Sequence, residues 1–264
     1  MLFRSPSVQQ VKSYIRHWLH EVDDHSVHSP YFYDLYTKIV SKKYKSDLPV
    51  LEDLRWEFEA NKTLLNVTDM GSGSKAGLTQ KRTIGDIART SLSPYNVAMF
   101  YLDLLYFCNA SRVVELGTSL GVTALYLAQK KDAMIYTFEG SHDIANAAMT
   151  NFEWASKKNI KVIEGNIDHT LHRFLEPTDK VDFVLMDANH RYIPTLEYYR
   201  LLTRRLKSSS IVVIDDIHRS EEMEKAWKEI RTDTLVYGSV DLFRCGILCF
   251  DPALNKQHYT WSLK

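Results

Sequence analysis

Between Ser7 and about Ala110, apolar residues recur at helical spacing: Val8, Val11, Ile15, Trp18 and Leu19 mark one stripe, and Tyr33, Tyr36, Ile39 and Val40 a second. Ser29-Pro30 and Ser93-Pro94 each read as an N-cap followed by proline at the first helical position, which predicts helices over 30–44 and 94–108. A third is expected over 49–64, with Leu51, Leu54, Trp56 and Phe58 among its apolar positions. Strand patterns are hard to find in this region. Beyond Ala110 short apolar runs, Arg112–Leu116, Met134–Glu139, Ile160–Glu164, Val181–Met186 and Ile211–Ile214, alternate with amphipathic stretches. That alternation predicts a mostly parallel sheet covered by helices on both faces. Thr234–Val240 and Phe243–Phe250 follow each other almost directly, so an antiparallel hairpin is expected to close one edge. The expected architecture is α/β: a doubly wound seven-stranded sheet over 95–264, preceded by a helical region over 1–94.

Composition narrows the picture. With 264 residues, 45% of them hydrophobic, the chain can bury a large core. Thirty-three Lys and Arg balance thirty-three Asp and Glu, so no global field draws the protein to nucleic acid or anionic lipid. Residues 1–10 do not read as a signal peptide, and no apolar run reaches the roughly 18 residues of a membrane span. The cysteines, Cys108, Cys245 and Cys249, are odd in number and match no zinc spacing. A reduced, cytoplasmic protein without a membrane partner is the expectation.

The first sheet strand ends in Glu115-Leu116-Gly117-Thr118-Ser119-Leu120-Gly121 and runs into an apolar-striped helix. A glycine turn between strand and helix lets a ligand approach the backbone, with free N–H groups at the helix start. A dinucleotide fingerprint wants G-x-G-x-x-G, and Ser119 stands at its second glycine. Glu139 closes the next strand 22 residues after Gly117, where a carboxylate can grip ribose hydroxyls. Asn166, after the third strand, can meet an adenine edge.

These residues resemble the class I S-adenosylmethionine-dependent methyltransferases, and within them the catechol and caffeoyl-coenzyme A type O-methyltransferases, whose glycine motif has the form E-x-G-x-x-x-G. The resemblance covers about 95–250 and implies a Rossmann-like fold, S-adenosylmethionine as cofactor, and a cofactor site drawn from Glu115, Gly117, Ser119, Gly121, Glu139, Asn166 and Asp187. It places the glycine loop along the methionine moiety, Glu139 on the ribose and Asn166 at the adenine, where the family more often has Asp.

The fourth strand delivers Asp187-Ala188-Asn189-His190 and the fifth Asp215-Asp216-Ile217-His218. Neighbouring carboxyl ends put Asp187, Asp215 and Asp216 in one crevice, where uncompensated carboxylates repel. A divalent cation resolves that, and hard oxygen donors suit Mg²⁺, or Ca²⁺ and Mn²⁺ as substitutes. In the resembling enzymes the metal ligands are Asp, Asp and Asn, so Asp216 departs from the pattern. The bland alternative makes Asp215-Asp216 the cap of the following helix. His190 stands where the family commonly carries a lysine base. An imidazole with a pKa near 6.5 suits that task, and capping the next helix is its alternative role. His190 and Asp187 are therefore the catalytic candidates.

The aromatics Trp18, Tyr31, Phe32, Tyr33, Tyr36 and Trp56 are expected mostly in the core, under a helical region that roofs the crevice. Asp69 to Lys75, with Lys81 and Arg82 nearby, reads as a connector or an anion nest. Lys42, Lys43 and Lys45 read as a solvated helix end. A small or nucleotide-linked hydroxyl acceptor is expected. RNA, as a tRNA wobble uridine oxygen, is the alternative acceptor, and a nicotinamide oxidoreductase or a cofactor-binding protein without transfer are the rival classes. The resemblance also implies a homodimer.

Overall fold

The structure, a computed structural model, describes residues 8–45, 48–68 and 79–264. Its N-terminal region contains α1 (Val8–His20), α2 (Pro30–Leu35) running into a π-turn over Tyr36–Val40, α3 (Pro49–Ala60), β1 (Leu64–Thr68), β2 (Thr79–Thr83) and α4 (Ile84–Ser91). The helices fall near their expected places with two differences. The second breaks at Leu35, and the third stops at Ala60 because the chain turns into a strand. β1 and β2 form an antiparallel pair where only helix was expected. The sequence Thr-Gln-Lys-Arg-Thr of β2 carries no apolar alternation and is mostly exposed, so the pairing rests on backbone hydrogen bonds that leave no hydrophobic signature.

The rest is α5 (Tyr95–Phe107), β3 (Arg112–Leu116), α6 (Val122–Leu127), β4 (Met134–Glu139), α7 (His142–Trp154), β5 (Ile160–Glu164), α8 (Ile167–Leu175), β6 (Val181–Met186), α9 (Tyr192–Thr203), β7 (Leu206–Asp215), α10 (Glu221–Arg231), β8 (Gly238–Asp241), β9 (Cys245–Cys249) and β10 (Gln257–Thr260). The main sheet has the order β10-β8-β9-β7-β6-β3-β4-β5. The order reverses beside β3, and the carboxyl ends of β3, β4, β6 and β7 open onto that switch point, where open α/β sheets bind ligands. β9 pairs antiparallel with β7 and β8, as the hairpin requires.

The sheet has eight strands rather than seven. β10 adds itself parallel to β8, and its Gln-His-Tyr-Thr sequence is too polar to announce a strand. β7 begins five residues before the apolar run, through exposed Lys207 to Ser209. Two apolar clusters cover the sheet faces. One packs α2, α3, α5 and α6 against it, and the other packs α8, α9 and α10. Phe32 is fully buried against Tyr259 and Trp261, which ties α2 to the last strand. Tyr33, Trp56 and Trp18 instead face solvent, against expectation. Ser29 occupies its cap position without a side-chain cap bond, and Pro94 rather than Ser93 caps α5. Among the described residues no helix is long and apolar enough to cross a membrane, and the three cysteines are unpaired.

Candidate active site

A cavity of about 630 Å³ opens over the carboxyl edge of the sheet. Gly117 and Ser119 form one wall, Glu139 and Asn166 a second, and Asp187, His190, Asp215 and Asp216 a third. All the sequence-derived candidates meet there except Glu115 and Gly121. Glu115 lies behind the glycine loop and accepts from the Thr137 hydroxyl at 2.5 Å, while Thr137 also contacts Thr118 at 2.6 Å. Burial pushes its carboxyl up to about 8, so it acts as a neutral support for the loop rather than a ligand group. Gly121 has φ of +82° and caps α6, yet a side chain there would strike the Phe152 ring, so packing on α7 explains that glycine. Gly117, at φ +102°, faces the cavity, and any Cβ on it would collide with the Asp187 carbonyl oxygen. The close approach of β3 and β6 at the switch point therefore requires glycine.

Glu139 accepts the Ser119 amide at 3.0 Å on one oxygen and the Ser141 amide at 2.9 Å on the other. Burial raises its pKa while these amides oppose the rise. Each oxygen keeps acceptor capacity beyond its amide donor, and Glu139 lines the cavity, so it can accept the two hydroxyls of a ribose. Asn166 spends its carbonyl oxygen capping α8 on the Asp168 amide at 2.9 Å, which leaves the amide nitrogen for a ligand.

The third wall differs in kind. Asp215 is 1% exposed and both its oxygens are taken: Tyr101 donates its hydroxyl at 2.9 Å and Arg244 its guanidinium at 3.0 Å. Burial and the charge of Asp187 push Asp215 up, and Arg244 and Tyr101 hold it down. Arg244 in turn is anchored by the Ser93 hydroxyl at 3.3 Å. Asp216 accepts from Arg219 at 2.8 Å. His190 Nε2 lies 3.3 Å from Asp187 and 3.9 Å from Asp216. Burial pulls the His190 pKa down, but the hydrogen bond and charge of Asp187, with the charge of Asp216, outweigh it and raise it above the ordinary value. Asn189, His190, Asp216 and Ser119 all hold positive φ, a concentration of left-handed backbone around one cavity. Asn189 is fixed by its 2.5 Å bond to the Tyr198 hydroxyl, itself bonded to Asp168.

The carboxylates, expected to lie together without compensation, are partnered by Arg244, Arg219 and His190. The donor set does not fit a divalent metal, because the Tyr101 hydroxyl and the Arg244 guanidinium already hold the two oxygens of Asp215, and Arg219 holds one of Asp216. Among the described residues no group of three His, Cys, Asp or Glu is placed to hold one. The capping alternative also fails, since Ser220 caps α10. His218 points away and bonds Asp241 and Glu224.

Residues 114–217 match the family model described as a methyltransferase domain. Over that stretch the chain is similar to methyltransferase domains. No curated protein matches it in sequence. Among solved structures, the O-methyltransferase of Bacillus cereus in complex with SAH superposes with a TM-score of 0.56 at 14% identity, over 86% of this chain and 100% of that one. A putative caffeoyl-CoA O-methyltransferase of Staphylococcus aureus gives 0.55 at 16%, over 62% and 88%. A Streptomyces achromogenes O-methyltransferase of tomaymycin synthesis, in complex with SAM, gives 0.53 at 16%, over 61% and 82%. Identities this low show a shared fold.

The cavity is roofed by β2 and α4, which bring Arg82, Arg89 and Ser91 to it, and the Ser91 hydroxyl meets that of Ser119 at 3.0 Å. None of Trp18, Tyr31, Phe32, Tyr33, Tyr36 and Trp56 lines the cavity. The Asp69 to Lys75 stretch lies outside the described residues. Lys42, at the expected solvated helix end, is paired with Asp103. Arg244 and Tyr101 are the functional residues that sequence reasoning missed. The available signal was the hairpin itself, whose register sets Asp215 opposite Cys245 and so places Arg244 beside it.

Proposed function

We propose that the protein binds S-adenosylmethionine and transfers its methyl group to a hydroxyl oxygen of a small-molecule acceptor, without a resident divalent metal. One observation carries this reading: a single cavity joins the Gly117–Ser119 loop and Glu139 to the Asp187–His190 pair. Gly117 and Ser119 suit the amino-acid portion of the cofactor, Glu139 the ribose hydroxyls, and the Asn166 amide the adenine. When bound, the sulfonium supplies an electrophilic methyl group.

The protein's own groups account for the rest. Asp187 accepts the Nε2–H of His190 and so fixes the tautomer whose Nδ1 lone pair takes the acceptor proton. Arg244, locked by Asp215 and Ser93, offers a cationic donor at the cavity wall toward an oxygen that is losing its proton. Holding acceptor and cofactor in line supplies much of the remaining acceleration.

Calorimetric titration with S-adenosylmethionine in the presence of EDTA, then with added Mg²⁺, tests the binding step. Transfer of labelled methyl to a panel of hydroxylated small molecules tests the chemistry. Binding and transfer are expected unchanged by the chelator, with His190→Ala binding the cofactor normally but failing to transfer. Absence of binding defeats the reading, and turnover abolished by EDTA and restored by Mg²⁺ defeats its metal-free form.

A further inference from the structure

Helix α1 is mounted with its polar side inward. Only Ser13 and His17 are buried, where the Ser13 hydroxyl bonds Glu224 and His17 Nε2 lies 3.2 Å from the Asp241 carbonyl oxygen. Gln9 adds a 3.3 Å bond to Glu224. The apolar stripe Val8, Val11, Ile15, Trp18 and Leu19 points to solvent, with Trp18 63% and Leu19 67% exposed. An amphipathic helix ordinarily turns that stripe to the core, so this one is held by hydrogen bonds and leaves its hydrophobic face unpartnered among the described residues.

We propose that α1 docks the protein on an anionic lipid surface, lying flat with the stripe in the headgroup boundary. Three features choose this occupant. Lys12 and Arg16 are exposed on the flank of the stripe, and residues 8–20 contain no Asp or Glu, so the helix is cationic although the whole chain is neutral. Basic residues beside a Trp and Leu stripe are the composition of interfacial helices, in which long side chains reach up to the headgroups. A second copy of the helix is a poor alternative, because two cationic flanks would repel. A helix about 20 Å long also presents on the order of 400 Å² per partner, half of what a stable interface takes from each side. The whole-chain charge balance, which argued against a membrane partner, does not see a feature confined to one helix.

The placement also bears on the cavity. Tyr14 and His17 pack edge-on against Phe243, the neighbour of Arg244, so the docking helix abuts the loop that supplies the third wall. The proposal does not depend on the methyl acceptor or on transfer.

Co-sedimentation of the full chain with vesicles of phosphatidylcholine alone and with one-third phosphatidylserine tests it. Binding is expected only to the anionic vesicles and is expected to weaken with salt. Lys12→Ala with Arg16→Ala should lower the apparent affinity on the order of tenfold or more. Ile15→Glu with Leu19→Glu should abolish it while thermal stability and cofactor binding stay unchanged, since both side chains are exposed. No sedimentation with anionic vesicles overturns the proposal. So does a dimer in sedimentation velocity that the Ile15→Glu, Leu19→Glu variant converts to monomer, because the stripe then belongs to a second copy.

Discussion

The two sides of the cavity are built on different principles. The side at β3, β4 and β5 is made of backbone: a glycine loop, amides aimed at one carboxylate, and a capping asparagine. The side at β6, β7 and β9 is made of charge pairs whose members come from distant elements, Asp215 with Arg244 and Tyr101, Asp187 with His190. A backbone site is preorganised by the fold and tolerates surface change, whereas a buried charge network depends on every member remaining in place.

That contrast can be broken from either side. The largest expected effect is on the reaction rate: His190→Ala should slow methyl transfer by about 10²- to 10⁴-fold with cofactor affinity unchanged, as single-turnover kinetics and calorimetry would show together. Next, Arg244→Met should destabilise the fold by about 3–5 kcal/mol, because it strands a buried carboxylate. Adding Asp215→Asn should recover a large part of that loss in a thermal-denaturation double-mutant cycle, and a strictly additive result would refute the pairing. Glu139→Ala should weaken cofactor binding by about 10- to 100-fold, the worth of hydrogen bonds to a charged group, with a smaller effect on stability.

A finer test uses pH. The proposed base His190 can take a proton only when neutral, and its pKa is raised, so with His190 as base the transfer rate should climb as pH rises through that value. Asp187→Asn removes the negative charge that holds the proton, so the ascending limb should shift to lower pH while the maximal rate falls. A limb that stays put would assign the titration to another group. The smallest expected effect is that of a chelator, which should leave turnover unchanged.

The same contrast explains how much was legible in the sequence. Gly117, Ser119, Glu139 and Asn166 sit at the ends of successive strands, so the order of the chain is the order of the site, and local pattern suffices. Asp187 and Asp215 were visible for the same reason. Arg244 and Tyr101 were not, because their roles arise from a hairpin register and from a helix packed across the sheet, neither of which has a local signature. Without Arg244 the acidic cluster looked uncompensated, and a metal followed. β2 and β10 escaped notice because polar strands pair through the backbone alone. The α1 periodicity predicts the helix but not the exposure of Trp18, since spacing reports which residues share a face and not what that face meets.

His17 and its partner Asp241 are 224 residues apart, and α2 rests on Trp261. During synthesis these first helices emerge long before the surface that receives them exists. They must wait, held open or shielded, until the closing strand leaves the ribosome. Docking of these helices is thereby coupled to synthesis of that distant strand, and a translation product cut short before it would expose Phe32 and Leu35, now fully buried, to the machinery that clears unfinished proteins.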